Sequence, residues 1–167
     1  MPHTIAEALD HAARSLAVSA AARAEAEELV GRLLSLSRTA LYLDRGRVLP
    51  AGAWERLEGW LGRRATGEPL QYITGRAAFR SLDLAVRPGV LIPRPETEGL
   101  VECVLEALIE RRAQWPMPRV LDLGTGSGAI ALSVAHECPW SRVFATDTSD
   151  DALAVARANA AAGGLGV

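Results

Sequence analysis

Apolar residues in the first part of the chain recur at the spacing of helix faces. Ile5, Leu9, Ala12 and Leu16 form one stripe. Thr4 and Glu7 have the Thr-x-x-Glu spacing of a capping box, in which each side chain satisfies a free backbone N–H at a helix start. A second helix is predicted over residues 22–35. Ala26, Leu29, Val30, Leu33 and Leu34 form its apolar face, and Arg23, Glu25, Glu27, Glu28 and Arg32 its polar face. A short helix is predicted over 38–43. Pro50 begins a further one, with Trp54, Leu57, Trp60 and Leu61 on its buried stripe, and Gly67 and Pro69 end it. Helices this short are not stable alone, so they are predicted to pack as a small bundle.

After Pro69 the period changes. Residues 72–74 and 79–86 read as extended, with Leu82, Leu84 and Val86 on one side, and Gly75 and Pro88-Gly89 supply turns. Residues 70–92 are therefore predicted as a β-hairpin linking two domains. Ile92-Pro-Arg-Pro-Glu-Thr-Glu98 leads into a helix over 96–112, with proline where a missing N–H costs little. Strands over 119–123 and 141–146 then alternate with helices over 127–137 and 150–162, and Thr148 is placed to cap the last. A β-α-β-α run predicts a parallel sheet with helices on its faces. The predicted class is α/β: a helical bundle (1–69), a hairpin linker (70–92), and the first half of a Rossmann-like domain (93–167).

Composition narrows the classes without choosing among them. The 167 residues can form one ordinary domain or two small ones. Hydrophobic content of 49% and charged content of 23% are those of a globular protein. The net charge of −2 offers no general basic surface, so direct nucleic-acid binding is not expected. The basic residues are all arginine, which reads as compositional bias. Cys103 and Cys138 form no CxxC pair and read as small, buried or half-buried thiols. His3, His11 and His136 show no mutual spacing for a metal or a catalytic triad. The start lacks the layout of a signal peptide, and no apolar run approaches the ~20 residues needed to span a bilayer. A soluble cytoplasmic protein without a membrane partner is the expectation.

The chemistry centres on Asp122-Leu-Gly-Thr-Gly-Ser-Gly128, between a predicted strand and a predicted helix. Gly124, Gly126 and Gly128 permit positive φ and let the backbone approach a ligand closely. The helix start aims free N–H groups at that ligand. Asp147 closes the next strand at roughly the 20-residue separation of a ribose-binding acid. The dinucleotide fingerprint is Gly-x-Gly-x-x-Gly, built for a pyrophosphate, whereas this loop is Gly-x-Gly-x-Gly preceded by Asp122. An acid there suits a cofactor carrying an ammonium and a sulfonium better than one carrying phosphates. That favours S-adenosylmethionine and keeps NAD as the alternative.

Three segments, Gly67-Glu-Pro-Leu-Gln-Tyr-Ile-Thr-Gly75, Leu91-Ile-Pro-Arg-Pro-Glu-Thr-Glu98 and Val120-Leu-Asp-Leu-Gly-Thr-Gly-Ser-Gly-Ala-Ile-Ala-Leu132, together resemble the release factor glutamine methyltransferases, the PrmC/HemK family. The glycine motif is shared by many methyltransferases; the Pro-Arg-Pro-Glu-Thr-Glu segment beside Gly-Glu-Pro-Leu-Gln is far more specific. The resemblance covers nearly all of the chain, its helical start looking like that family's substrate-recognition domain. It implies a class I methyltransferase fold and methyl transfer from S-adenosylmethionine to the side-chain amide of the glutamine in the Gly-Gly-Gln motif of peptide chain release factors, a modification belonging to translation termination. It implies cofactor contacts at Gly124, Thr125, Gly126, Ser127 and Gly128, ribose binding by Asp147, and Asp122 near the methionine end. Arg94, Glu96 and Glu98 fall at the site mouth on the same ground, although acids at a helix start also complement its dipole.

The family's Asn-Pro-Pro-Tyr motif, which holds the glutamine amide, does not occur in this sequence. The resemblance places it beyond Val167, so no catalytic residue is named. The sequence supplies two of the about seven strands that a doubly wound methyltransferase sheet has by that resemblance. The chain therefore reads as part of a longer enzyme, inactive alone, with an unpaired edge and an uncovered apolar sheet face. Three other readings remain: a methyltransferase acting on nucleic-acid amino groups, a dinucleotide-dependent oxidoreductase, and a non-catalytic module that docks a translation factor.

Overall fold

A computed structural model describes residues 3–167. The chain divides into two compact units, the first reaching Thr74 and the second Gly75–Val167.

The first unit is helical. α1 (Ile5–Ser15) starts with the expected capping box: Thr4 Oγ1 accepts from Glu7 N–H at 3.3 Å and Glu7 Oε2 accepts from Thr4 N–H at 2.8 Å. α2 (Ala22–Leu34) ends at Ser35, in the left-handed region at φ 55°. α3 (Arg38–Leu43) is capped by Ser37. α4 (Ala53–Ala65) begins after Pro50, which sits in the preceding turn. Leu9, Leu29, Leu41 and Leu57, one from each helix, are fully buried together. Trp54 and Trp60 pack partly buried against this core, and the His3 ring stacks on Trp54 at 3.7 Å.

Two expectations fail in this unit. Residues 70–74, expected to open the hairpin linker, form a short helix, α5 (Leu70–Thr74). Pro69 supplies its first turn, accepting from Tyr72 and Ile73 N–H, and Ile73 joins the helical core. Glu27, assigned to the polar face of α2, is only 5% exposed. Its carboxylate accepts from the Tyr42 hydroxyl and from Arg23 Nε at 3.2 Å, and lies 2.6 Å from Arg38 Nε in an ion pair. Burial alone pushes the Glu27 carboxyl up, but Tyr42, Arg38 and Arg23 together hold it below its ordinary value.

The second unit opens with a hairpin. β1 (Arg76–Phe79) pairs antiparallel with β2 (Leu82–Ala85). Phe79 and Leu84 bury into the core of the second unit. α6 (Glu96–Glu110) follows, then β3 (Arg119–Leu123), α7 (Ala129–Glu137), β4 (Arg142–Thr146) and α8 (Asp150–Gly163). β3 and β4 pair in parallel, Leu121 opposite Phe144. One sheet face packs on α7. The other presents Leu121, Leu123 and Phe144 at 58, 75 and 40% exposure.

Smaller differences have local causes. α8 is capped by Ser149, not Thr148: Ser149 Oγ accepts from Ala152 N–H. α7 starts at Ala129 and not at 127, because the turn runs on through Gly128 at φ 87°. Cys138 is buried, and burial raises its thiol pKa, but Cys103 is exposed on the outer side of α6. Among the described residues no group of His, Cys, Asp and Glu is placed to hold a metal ion, and no helix is long and apolar enough to cross a membrane.

Candidate functional site

The run from Gly124 to Gly128 turns the chain from β3 into α7. Its glycines lie at φ 79° (Gly124), 58° (Gly126) and 87° (Gly128). A side chain there costs about 1–2 kcal/mol of backbone energy. An added Cβ at Gly124 or Gly126 would meet no protein atom within 4 Å. At Gly128 it would lie 2.9 Å from Leu132 Cδ1 and 3.3 Å from Ala156 Cβ. The first two glycines thus keep space open beside the backbone, and the third permits helix packing.

Hydrogen bonds fix the loop. Thr146 C=O accepts from Gly124 N–H at 2.8 Å and from Thr125 N–H at 2.9 Å, which extends the sheet pairing into the turn. Asp147 continues this role: Oδ2 accepts from Gly126 N–H and Oδ1 from Ser149 N–H, both at 2.9 Å. The N–H groups of Ser149, Gly126 and Thr148 hold its carboxyl below the ordinary aspartate range. Asp147 is therefore ionised at neutral pH. Each of its oxygens accepts one backbone bond and keeps a second lone pair for a ligand hydroxyl. Asp122 is buried at 9% exposure and accepts from Thr125 Oγ1 at 2.7 Å.

Against this loop lies a cavity of about 300 Å³, at the lower end of the range for small-molecule sites. Gly124, Thr125, Gly126 and Ser127 line it, with Ala129 and Ile130 from the start of α7. The chain entering α6 contributes Val90, Leu91, Pro93, Arg94 and Thr97. Asp147, Ser149 and Ala152 complete it.

Of the residues singled out from sequence, Gly124, Thr125, Gly126, Ser127, Asp147 and Arg94 meet at the cavity. Asp122, Gly128, Glu96 and Glu98 are not among its lining residues. Asp122 stands behind Thr125, and Gly128 packs on Leu132 and Ala156. Glu98 turns to the hairpin, where Oε1 accepts from Arg80 N–H at 3.0 Å. Arg80 sits in the hairpin turn at φ 49°. Its guanidinium donates to both Glu137 oxygens, at 2.6 and 2.7 Å, and lies 2.9 Å from Glu102. Bonding to Glu137 and then Glu102 raises its pKa further. Glu98 therefore supports the hairpin turn. Sequence reasoning missed Val90, Leu91, Thr97 and Ser149. Only Ser149 carried a local signal, as a cap-type residue beside Thr148.

Residues 7–75 match the family described as the PrmC N-terminal domain, and residues 100–167 match the methyltransferase small domain. A protein named release factor glutamine methyltransferase from Moorella thermoacetica is 47% identical over 164 residues, which is 97% of this chain and 56% of that protein. Its namesake from Koribacter versatilis is 45% identical over 95% of this chain and 56% of its own length. One from Bordetella pertussis is 50% identical over 83% of this chain and half of its own length. The chain thus spans about half the length of the curated relatives it matches. A match to the PrmC N-terminal domain followed by a match to the methyltransferase small domain, with near-half identity along almost the whole chain, makes this chain similar to about half of a release factor glutamine methyltransferase.

Proposed function

We propose that this chain carries the methyl-donor site of an S-adenosylmethionine-dependent enzyme that methylates the side-chain amide of the glutamine in the Gly-Gly-Gln motif of peptide chain release factors, in the cytoplasm. The observation that carries the reading is the cavity bounded by the Gly124–Ser127 backbone and the Asp147 carboxylate. The fit is good on two counts. Gly124 and Gly126 leave the space a side chain would fill. The acid at the cavity is ionised and accepts from the N–H groups of Gly126 and Ser149, which hold it in place and leave it able to accept from ribose hydroxyls.

In this reading Asp147 binds the ribose, Gly124, Thr125, Gly126 and Ser127 pack along the nucleoside, and Arg94 offers a guanidinium to the carboxylate at the methionine end. Asp122 acts through Thr125, and Gly128 through packing. The cofactor supplies an activated methyl group, and the chain's residues bind it, orient it and exclude water. The acceptor amide is a neutral, weak nucleophile, so its alignment matters more than a strong base. The Asn-Pro-Pro-Tyr segment that holds the amide in the resembled family does not occur in this sequence. The helical unit, which matches the PrmC N-terminal domain, is assigned to release factor recognition in this reading.

Calorimetric titration with S-adenosylmethionine and separately with NAD tests the donor site. The expected result is binding of the first only, weakened by roughly 1–3 kcal/mol in Asp147→Ala through loss of charge-assisted hydrogen bonds. Unchanged affinity in that variant would remove Asp147 from the ribose. Radiolabelled methyl transfer to release factor, RNA and DNA tests the rest. The 167-residue chain alone is expected to transfer nothing, and the longer proteins of the family only to the release factor.

A further inference from the structure

Asn159 lies in an alanine-rich stretch of α8 and is 5% exposed. Asparagine is a poor helix-interior residue, and burying its amide without partners is costly. Every strong bond the amide can make here is made to backbone. Oδ1 accepts from Ala85 N–H at 2.7 Å, and Nδ2 donates to Ala85 C=O at 3.0 Å and to Ser127 C=O at 2.8 Å. Toward Ala85 the side chain behaves as one residue of an added strand, pairing with the outer edge of β2. Toward Ser127 it grips the glycine loop.

The two backbone points belong to two segments that reach the cavity. Ser127 lines it directly. Its peptide to Gly128 is clamped at both ends, the carbonyl by Asn159 and the Gly128 N–H by Thr125 C=O at 2.8 Å. Ala85 does not itself line the cavity, but it ends β2 and leads into Gly89, Val90 and Leu91, which do. A few residues on, Arg87 Nη2 donates to Asp151 Oδ1 at 2.7 Å, again on α8. A single planar amide is therefore bonded both to a lining residue of the loop and to the strand end that leads into the second lining segment.

We propose that Asn159 is a positioning residue that sets the width of the cavity and the orientation of the Ser127–Gly128 peptide, and through them the affinity for the methyl donor. This rests on the donor-site reading above. Leucine has the same size but bonds neither segment. Aspartate keeps the acceptor for Ala85 N–H but turns a second acceptor toward two carbonyls. Each substitution frees Ser127.

The test is calorimetric titration with S-adenosylhomocysteine of the unsubstituted chain, Asn159→Leu, Asn159→Asp and Val101→Ala. The last removes part of a fully buried side chain of α6 that does not line the cavity, and serves as a stability-matched control. The expected result is a loss of about tenfold or more in affinity for both Asn159 variants, the scale of one buried hydrogen bond, with no change for Val101→Ala. The Gly128 amide nitrogen resonance is expected to move in both Asn159 variants even without ligand, because its peptide carbonyl has lost its donor. Unchanged affinity in folded Asn159 variants would overturn the proposal and leave the donor site standing. A loss shared equally by Val101→Ala would also overturn it, by reducing Asn159 to a stability residue. No binding by the unsubstituted chain would overturn the donor-site reading, and this proposal with it. If the Asn159 variants do not fold, hydrogen exchange of the Asn159 side-chain amide in the unsubstituted chain decides: protection should rise with S-adenosylhomocysteine, and unchanged protection overturns the proposal.

Discussion

The helical unit and the α/β unit solve their folding differently. In the first, each apolar stripe finds a partner helix, and a buried carboxylate, Glu27, has Tyr42, Arg23 and Arg38 around it. In the second, three consecutive alternate residues sit at positive φ, and a sheet face exposes Leu121, Leu123 and Phe144. Both units depart from local rules, the first at Ser35 and Glu27 and the second more heavily. In the second unit the departures fall at the glycine loop and on an exposed apolar face, which is where function and assembly are expected to depart from ideal folding.

The sharpest test of this contrast is Leu57→Ala. Leu57 is fully buried in the helical core, so the variant is expected to lose about 2–5 kcal/mol of stability by chemical denaturation. Affinity for S-adenosylhomocysteine is expected to hold in the folded variant, since every cavity residue lies in the second unit. A parallel loss of affinity would break the contrast.

Gly128→Ala comes next. It combines a left-handed backbone with a 2.9 Å contact to Leu132, so about 2–4 kcal/mol is expected from strain and overpacking together. Gly126→Ala meets no protein atom, so its stability cost should stay near the backbone cost of about 1–2 kcal/mol while its ligand affinity falls. Equal stability losses by thermal melting, or an affinity loss only at Gly128, would reverse the assignment of packing to the third glycine and ligand space to the second.

Glu27→Gln is expected to cost about 1–2 kcal/mol, less than a fully buried pair, because Arg38 is 74% exposed and remains solvated. Its pH dependence has a definite sign. Glu27 is held below its ordinary value of 4.5 in the fold, so its contribution is complete above that pH and is lost as pH falls through the lower folded value. Acid titration of stability should therefore be shallower below pH 4.5 in Glu27→Gln than in the unsubstituted chain. Identical acid slopes would show that the network is not stabilising.

The smallest effect is expected at the exposed sheet face. Phe144→Thr should change stability by no more than about 0.5 kcal/mol, because the side chain is already 40% exposed, while reducing self-association measured by light scattering. A large loss of stability would mean that Phe144 serves the core and that the face is not spare.

Features whose causes lie within a few residues were legible in the sequence. The Thr4–Glu7 box, the 38–43 helix, the 119–123 strand and the glycine turn each carry their signal in one short stretch, and so do the pairing of loop and terminal acid in a β-α-β unit. Residues 70–74 were misread because Gly67, Pro69 and Gly75 punctuate a helical turn as readily as a strand; burial of Ile73 decided between them. Glu27 looked exposed because a charge on a helix predicts solvent until Tyr42, Arg23 and Arg38 are brought to it.

What the chain order determined by itself is the list of elements, the α/β class, and a strand–glycine–helix turn followed by an acid. Local propensity and spacing are enough for these, since helix caps, left-handed glycines and apolar periods act over one or two turns of chain. What only the tertiary structure decided is which members of that list share a cavity. It moved Asp122 and Gly128 behind the surface and turned Glu98 to Arg80. It also made Asn159 a bridge between Ala85 and Ser127, 74 and 32 residues away. A buried amide is placed by the backbone groups it satisfies, and those groups come together only when the chain folds.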